Sequence, residues 1–245
     1  MNTSEAMANP DLKRFVEDVS RALTDKLTSV VLYGSAARGE FHEKTSDFNL
    51  ILVLEDLDPA TLERFTPSFR AWTKKGHPVP RLFTPHLIAD SADVFPIEML
   101  DLQNSRAVLF GKDAFAGIAV SRANLRLQCE RELRTALMRL REAYVECHDT
   151  PAELKRLMTS SYTTFVALFR GCLSLLGGKV PLRNAEVVQA FCQRASLQVA
   201  PFEVVDHLKR GHPPVEDLKK IFDAYLGQLR LAVRTVDRFG THGGE

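Results

Sequence analysis

The spacing of apolar residues changes near residue 118, and this change constrains the fold more than any other feature of the chain. Before it, short apolar runs bounded by Gly, Pro and polar residues indicate strands that alternate with helices. After it, apolar residues recur every three or four positions, which predicts helices only. The sequence therefore predicts two domains, residues 1–117 with strands and helices, and residues 118–245 as a helical bundle. The predicted strands cover residues 30–33, 50–54, 80–84, 95–100 and 106–110.

The composition is that of an ordinary globular protein and disfavours several functional classes. The 245 residues carry 32 Lys and Arg against 31 Asp and Glu, so nothing favours bulk electrostatic binding of nucleic acid or of an acidic membrane. No apolar run approaches the ~18 residues that span a bilayer, and the N-terminal residues lack the apolar core of a signal peptide. The cysteines form no CxxC pair, so we expect reduced packing residues in a cytoplasmic protein. They are Cys129, Cys147, Cys172 and Cys192.

The run VVLYGS, residues 30–35, has the pattern of a strand that ends in a tight Gly-Ser turn. Gly34 allows the backbone to approach a ligand closely. If a helix begins at Ser35, its N–H groups and the serine hydroxyl face the same space, which suits a phosphate. Arg38, one turn further on, could add positive charge. Taken alone, this short pattern is more often a tight turn without a ligand.

A second polar pattern, Asp47-Phe48-Asn49, precedes the apolar run of residues 50–54. Residues 47 and 49 of a strand point to the same face. Two carboxylates there would suit magnesium, which favours one or two carboxylates together with phosphate oxygens. Asn49 instead offers an amide oxygen without a charge. Taken alone, the pattern also fits a strand entrance at which Asp47 hydrogen-bonds nearby backbone.

The order of these elements resembles the nucleotidyltransferase fold of the DNA polymerase β type. It is a strand, Gly-Ser, a helix, a loop, Ser-Asp-x-Asn and an apolar strand. The run GSAARGE, residues 34–40, is similar to the Gly-Ser-x-Ala-Arg-Gly of small bacterial and aminoglycoside nucleotidyltransferases, and SRAVLFGKD, residues 105–113, resembles the segment that closes such domains. The resemblance covers residues 10–115 and is only architectural beyond them. It implies an α+β fold, in which a small mixed-sheet nucleotidyltransferase head is followed by an all-α bundle.

The resemblance also implies a reaction and a nucleotide-binding turn. In this family a nucleoside monophosphate passes from a nucleoside triphosphate to an acceptor hydroxyl, and pyrophosphate leaves. Such a reaction depends on positioning and on neutralising charge more than on a covalent protein group. Gly34, Ser35 and Arg38 would bind the nucleotide.

The metal ligands implied by the resemblance are Asp47, Asn49 and Glu98. Asp47 and Glu98 would also be catalytic, with Glu98 as the third acidic residue that the family takes from a later strand. We expect it on the predicted strand of VFPIEML, residues 94–100, with Asp101 as a rival for the same role. Because the family's second Asp is Asn49 here, one magnesium ion is expected rather than two.

The acceptor stays open between a small-molecule hydroxyl, a protein side chain and a tRNA end. The expected partners are a nucleoside triphosphate and this acceptor, without membrane or favoured nucleic acid, and a homodimer is left open. The lost carboxylate at Asn49 motivates an alternative function, a catalytically impaired nucleotide-binding or partner-binding module on the same fold. A third, less favoured hypothesis is an antitoxin-like module that pairs with a helical toxin.

Overall fold

The computed structural model describes residues 2–40, 47–177 and 180–239, and the chain divides into two compact units. The first unit is Met1–Val120 and the second is Ser121–Glu245. The first combines helices with one sheet, whereas the described part of the second contains helices without strands. The assignment of the two units as functional domains stays a prediction.

The first unit is built on a four-stranded sheet in the order β3-β2-β1-β4. Strand β1 is antiparallel to both β2 and β4, and β2 is parallel to β3, so the sheet is mixed. The strands are β1 (Leu27–Tyr33), β2 (Asn49–Leu54), β3 (Arg81–Phe83) and β4 (Arg106–Gly111), and the helices are α1 (Thr3–Met7), α2 (Pro10–Leu23), α3 (Pro59–Lys74), α4 (Pro85–Val94) and α5 (Pro96–Asn104).

Apolar side chains cover both faces of this sheet. Alternate residues of β1 and β2, such as Leu32 and Leu50, pack with α2 and α3 on one face. Val31, Ile51 and their neighbours pack with α4 and α5 on the other. Strand β2 is therefore buried on both sides, as its continuous apolar run predicts. The polar residues of the central strands are confined to the strand ends.

The predicted strand of residues 95–100 is wrong, because this segment forms α5. Pro96 occupies the first helical position, where its fixed φ and missing N–H are tolerated. The apolar residues of the segment are buried on one side of a helix that packs on the sheet. A run of six residues is too short for periodicity to separate this helix from a buried strand.

The Gly-Ser run ends in a turn rather than in the helix that the sequence suggests at Ser35. The N–H of Arg38 donates to the carbonyl of Gly34 at 3.1 Å, and the N–H of Glu40 donates to the carbonyl of Ser35 at 2.9 Å.

Helices α1 and α4 were not predicted from the sequence. Thr84 begins α4 by accepting a hydrogen bond from the backbone N–H of Leu87.

The second unit consists of three long and two short helices in its described part, which agrees with the prediction of helices only. The helix Pro151–Leu175 contributes the most buried residues, among them Phe169. The ring of Phe169 stacks on that of Phe191, with the ring centroids 4.1 Å apart. The ring of Phe202 lies edge-on to that of Phe169, and the ring of Tyr225 lies edge-on to that of Phe202. The helices are α6 (Arg122–Cys147), α7 (Pro151–Leu175), α8 (Asn184–Ala195), α9 (Ala200–Lys209) and α10 (Leu218–Phe239).

The four cysteines are buried free thiols, which confirms the prediction that they are packing residues. Burial raises the pKa of the Cys192 thiol to about 12, so it stays protonated at neutral pH. Within residues 2–40, 47–177 and 180–239, no helix is both long and apolar enough to cross a membrane.

Candidate functional site at the end of strands β1 and β2

Gly34 and Asn49 meet where β1 and β2 end side by side. Tyr33, the last residue of β1, pairs with Asn49, the first residue of β2. Gly34 follows with a φ of +77°, and a Cβ added to it would lie 3.0 Å from the Nδ2 atom of Asn49. This position therefore requires glycine for two reasons, a left-handed backbone and a close neighbour. The Gly-Ser and Asp-x-Asn patterns are brought together as the sequence suggests.

Ser35 and Asp47 lie next to the last paired residues of β1 and β2. Ser35 follows Gly34 in the turn after β1, and Asp47 lies two residues before Asn49. Asp47 is exposed and lies just before β2, whereas Ser35 is half-buried in the turn. Ser46, the first residue of the Ser-Asp-x-Asn pattern, lies outside the described residues. The strand end thus carries a glycine backbone, a hydroxyl, a carboxylate and an amide.

Arg38 connects the turn to helix α5. Its Nη1 atom donates to Oδ2 of Asp101 at 3.2 Å, and its Nε atom lies 3.6 Å from Oε2 of Glu40. The Arg38 side chain is 14% exposed, so both contacts are shielded from water on one side. The guanidinium charge is shared with two carboxylates, and its predicted role as a phosphate ligand stays a prediction.

Glu98 lies on α5 and not on a strand, which corrects the expected position of the third acidic residue. It is exposed in the first helical turn, where a negative charge is favoured by the helix dipole. Asp101, one turn later, is the α5 carboxylate that contacts Arg38. The later strands in the described chain, β3 (RLF) and β4 (RAVLFG), contain no acidic residue.

The donors at the strand end suit one magnesium ion better than two. Over the described residues, no three His, Cys, Asp or Glu side chains are grouped so that they could hold a metal. Asp47 offers one carboxylate and Asn49 one amide oxygen. A magnesium ion bound largely by phosphate oxygens needs no more protein ligands than these. A two-metal site needs further carboxylates, and neither β3 nor β4 supplies one.

Arg81 and Tyr33 belong to this end of the sheet but were not singled out from the sequence. Arg81 pairs in register with Ile51 of β2, and its guanidinium carbon lies 5.5 Å from the centroid of the Tyr33 ring. Burial raises the pKa of the Tyr33 phenol, and the charge of Arg81 opposes part of this rise. The only signal in the sequence is a basic residue at the start of the short apolar run RLF.

Comparisons with known proteins bear on the fold of the chain. No protein-family model matches the chain. A stretch of 44 residues, 18% of this chain, is 48% identical to a Methanocaldococcus jannaschii protein named "putative protein adenylyltransferase", and it spans 44% of that protein. Among solved structures, the spectinomycin adenyltransferase AAD(9) from Enterococcus faecialis, solved with ATP and spectinomycin, matches with a TM-score of 0.55. The identity is 10%, and the match covers 92% of this chain and 99% of the other.

These similarities confirm the predicted fold. The chain has an α+β nucleotidyltransferase fold, with a small mixed sheet followed by a helical region. At this level of identity the structural likeness is a likeness of fold. The sequence match spans less than half of the archaeal protein.

Proposed function

We propose that the protein is a nucleotidyltransferase that binds ATP at the Gly34–Ser35 turn and transfers AMP to an acceptor hydroxyl. The observation that carries the proposal is the meeting of Gly34 with Asn49 at one strand end, next to Asp47, on a nucleotidyltransferase fold. ATP is proposed as the donor because the structural relative was solved with ATP and both relatives are named for adenylyl transfer.

The residues of the turn would bind the phosphates. Gly34 adopts a positive φ and has no side chain, so its backbone can approach a ligand closely. The hydroxyl of Ser35 can donate to a phosphate oxygen. Asp47 and Asn49 would hold one magnesium ion, which when bound neutralises charge on the phosphates. Arg38 would position the turn through its contact with Asp101, and could also add charge towards the nucleotide.

The acceptor hydroxyl attacks the α-phosphorus of ATP. A new P–O bond forms to the acceptor, the bond from the α-phosphorus to the bridging oxygen breaks, and pyrophosphate takes the electron pair of that bond. The hydroxyl proton passes to a carboxylate base. Asp47 is the carboxylate at the strand end, and Glu98 of α5 is the second candidate.

The acceptor belongs to one of two classes in this proposal, a small-molecule hydroxyl or a protein hydroxyl. The names of the two relatives divide in the same way, because one acts on spectinomycin and the other is named for a protein. We place the reaction in the cytoplasm, where the free thiols would stay reduced. A homodimer is a further part of the proposal that a measurement of mass in solution would test.

Pyrophosphate release tests the proposed reaction. The protein would be incubated with labelled ATP, magnesium and separate pools of small-molecule and protein acceptors. We expect release by the wild type and its loss in Asp47→Asn. The matched control is Asp93→Asn, which removes the same charge from an exposed position on α4. Absence of pyrophosphate release by the wild type under every condition would contradict the proposal.

A nucleotide-binding module without transferase activity is the second candidate function. It is favoured by Asn49 at the position of the family's second carboxylate, and by the absence of acidic residues from β3 and β4. This function predicts ATP binding that survives chelation of metal, without release of pyrophosphate. Pyrophosphate release separates the two, since turnover of labelled ATP in the presence of any acceptor would exclude the second.

A further inference from the structure

Three arginines lie near this end of the sheet, and two of them are held by carboxylates. Arg38 contacts Asp101 at 3.2 Å. Arg106, at the start of β4, forms a two-point contact with Asp113 at 2.8 and 2.6 Å. Arg81 is exposed, and within the described residues it forms no ion pair with a carboxylate. It is therefore the arginine of the three whose charge the described chain leaves available to a ligand.

The Arg81 guanidinium and the Tyr33 ring meet across β2. Arg81 starts on β3, at the position paired with Ile51, and its guanidinium lies over the ring of Tyr33 on β1. Neighbouring strands are about 4.8 Å apart, so β3 and β1 are separated by roughly 10 Å with β2 between them. Tyr33 pairs with Asn49 and directly precedes Gly34. The guanidinium thus contacts the residue of β1 that pairs with Asn49 and precedes Gly34.

Tyr33 and Asn49 favour a guanidinium that is restrained but not neutralised, and that can therefore bind an anion. The electron-rich face of the Tyr33 ring attracts the cation and limits its freedom, so less entropy is lost when a ligand binds. Asn49 shares this face of the sheet, because it pairs with Tyr33. A carboxylate at this position would attract the guanidinium and neutralise it, whereas the amide leaves the charge unpaired. Arginine is also the side chain whose planar fork matches two phosphate oxygens.

We propose that Arg81 binds the phosphate groups of the nucleoside triphosphate directly, so that nucleotide binding at this site does not require a divalent cation. This inference rests on the proposed function, because it concerns the same nucleotide. It assigns to Arg81 part of the neutralising charge that a second metal ion would supply. A purely structural Arg81 would support the packing of Tyr33 and would leave the affinity for anions unchanged.

Calorimetric titration with inorganic triphosphate and with ATP, each in EDTA and in magnesium, tests the inference. We expect the wild type to bind both ligands in EDTA. Arg81→Gln should weaken this binding about 10- to 100-fold, because a charge-assisted contact is lost. Arg81→Lys keeps the charge without the fork and should lie between the two. The matched control is Arg70→Gln, an exposed arginine of α3, which packs on the opposite face of the sheet.

Variants of Tyr33 provide a second measurement that leaves Arg81 in place. Tyr33→Phe retains the ring but removes the hydroxyl, which hydrogen-bonds with Arg81, so its binding of inorganic triphosphate in EDTA should lie between that of the wild type and that of Tyr33→Leu. Tyr33→Leu removes the ring that holds the guanidinium, and binding should weaken several-fold. Thermal unfolding of each variant shows that it is folded before its affinity is compared. If Arg81→Gln does not fold, Arg81→Lys and the two Tyr33 variants still decide the question.

The outcomes separate this inference from the proposed function. Binding of inorganic triphosphate by Arg81→Gln in EDTA with wild-type affinity would overturn the inference. Wild-type binding that disappears on chelation would overturn it as well. If either result accompanies pyrophosphate release by the wild type, only the inference fails. If the wild type binds neither ligand with or without magnesium, the proposed function fails instead.

Discussion

In the proposed site, residue 49 would determine how much positive charge a nucleotide needs from metal. Asn49 lies beside Gly34 and shares a face of the sheet with Tyr33, over whose ring Arg81 is held. With an amide at this position, the two charged side chains to which we assign a ligand are the carboxylate of Asp47 and the guanidinium of Arg81. A second carboxylate would favour a metal ion and would compete with phosphate for the guanidinium. In this proposal, the side chain at position 49 sets how much of the phosphate charge is neutralised by a metal ion and how much by the Arg81 guanidinium.

Asn49→Asp should make nucleotide binding more dependent on magnesium. The added carboxylate next to Asp47 raises the affinity for magnesium, and the same carboxylate pairs with Arg81 and weakens binding in EDTA. Clustered carboxylates should also lower the stability of the metal-free protein. Magnesium titrations of ATP binding would measure both effects, and an unchanged dependence on magnesium would contradict the placement of Asn49 in the site.

Gly34→Ala should reduce both stability and nucleotide binding. The backbone at φ +77° disfavours a side chain by about 1–2 kcal/mol, and the new Cβ would displace the Asn49 amide, which lies 3.0 Å away. Gly76→Ala is the matched control, since Gly76 has a φ of +88° but nothing within 4 Å of an added Cβ.

Urea unfolding and ATP titration would be measured for both glycine variants. We expect both to lose stability through backbone strain, and only Gly34→Ala to lose affinity. Equal ATP affinity in the two variants would show that the turn does not contact the nucleotide.

At the scale of elements, an ion pair connects the turn after β1 to α5. Arg38 belongs to the turn and Asp101 to the middle of α5, and their side chains are 14% and 31% exposed. A partly shielded pair of this kind holds two elements in register with a modest free energy. Because the turn is the proposed phosphate site, movement of α5 would reach it through this contact.

A double-mutant cycle on Arg38→Gln and Asp101→Asn should give a coupling energy of about 1 kcal/mol in urea unfolding. Each single change removes the pair, so the double mutant should be less destabilised than the sum of the two. A cycle on Arg126 and Glu130, an ion pair within α6, provides a comparison that connects no two elements. Strict additivity for Arg38 and Asp101 would show that the contact does not connect the elements energetically.

The central elements were predictable because their patterns are unambiguous. A β-branched run before Gly34 and a continuous apolar run after Asn49 could be read as β1 and β2, and the long helices of the second unit show an extended helical period. The helix at residues 95–100 could not be predicted, because burial against the sheet gives a short helix the same apolar content as a strand. The wrong prediction for this segment also placed Glu98 on a strand, whereas it lies on α5.

The site was predictable in part for a related reason. Gly34, Asp47 and Asn49 belong to local patterns that a sequence displays. The contribution proposed for Arg81 depends on the parallel pairing of β3 with β2, which is a long-range contact without a local signature. The pairing of Arg38 with Asp101 depends in the same way on where α5 packs.

At the scale of the whole molecule, acid should destabilise the first unit before the second. The four described carboxylates with a resolved shift all have a lowered pKa and all lie in the first unit, with causes that include Lys75 at Asp11 and Arg106 at Asp113. The other two are Asp25, beside the Thr24 hydroxyl, and Asp58, which accepts from the Thr61 backbone.

A carboxylate with a lowered pKa stabilises the fold above its unfolded pKa and loses this contribution as the pH falls through the folded value. The unfolded pKa of Asp is about 3.9, so the loss should begin near pH 4 to 5 and continue below it. Trp72, the single tryptophan, is buried in the first unit, so its fluorescence reports this unit. We expect its acid transition at a higher pH than the loss of helical circular dichroism.

Asp113→Asn should lower stability at neutral pH and flatten the acid dependence of the Trp72 signal, because it removes one of these carboxylates. An acid transition of unchanged shape would show that the pair of Asp113 with Arg106 does not contribute.

The central claim is that the strand end formed by Gly34, Ser35, Asp47 and Asn49 binds a nucleoside triphosphate. A crystal structure with a non-hydrolysable ATP analogue and magnesium tests it most directly. The account predicts the triphosphate at the Gly34–Ser35 turn, with Asp47 towards the metal and the Arg81 guanidinium on phosphate oxygens. An analogue bound elsewhere, or a turn that stays without nucleotide at saturating analogue, would contradict the claim.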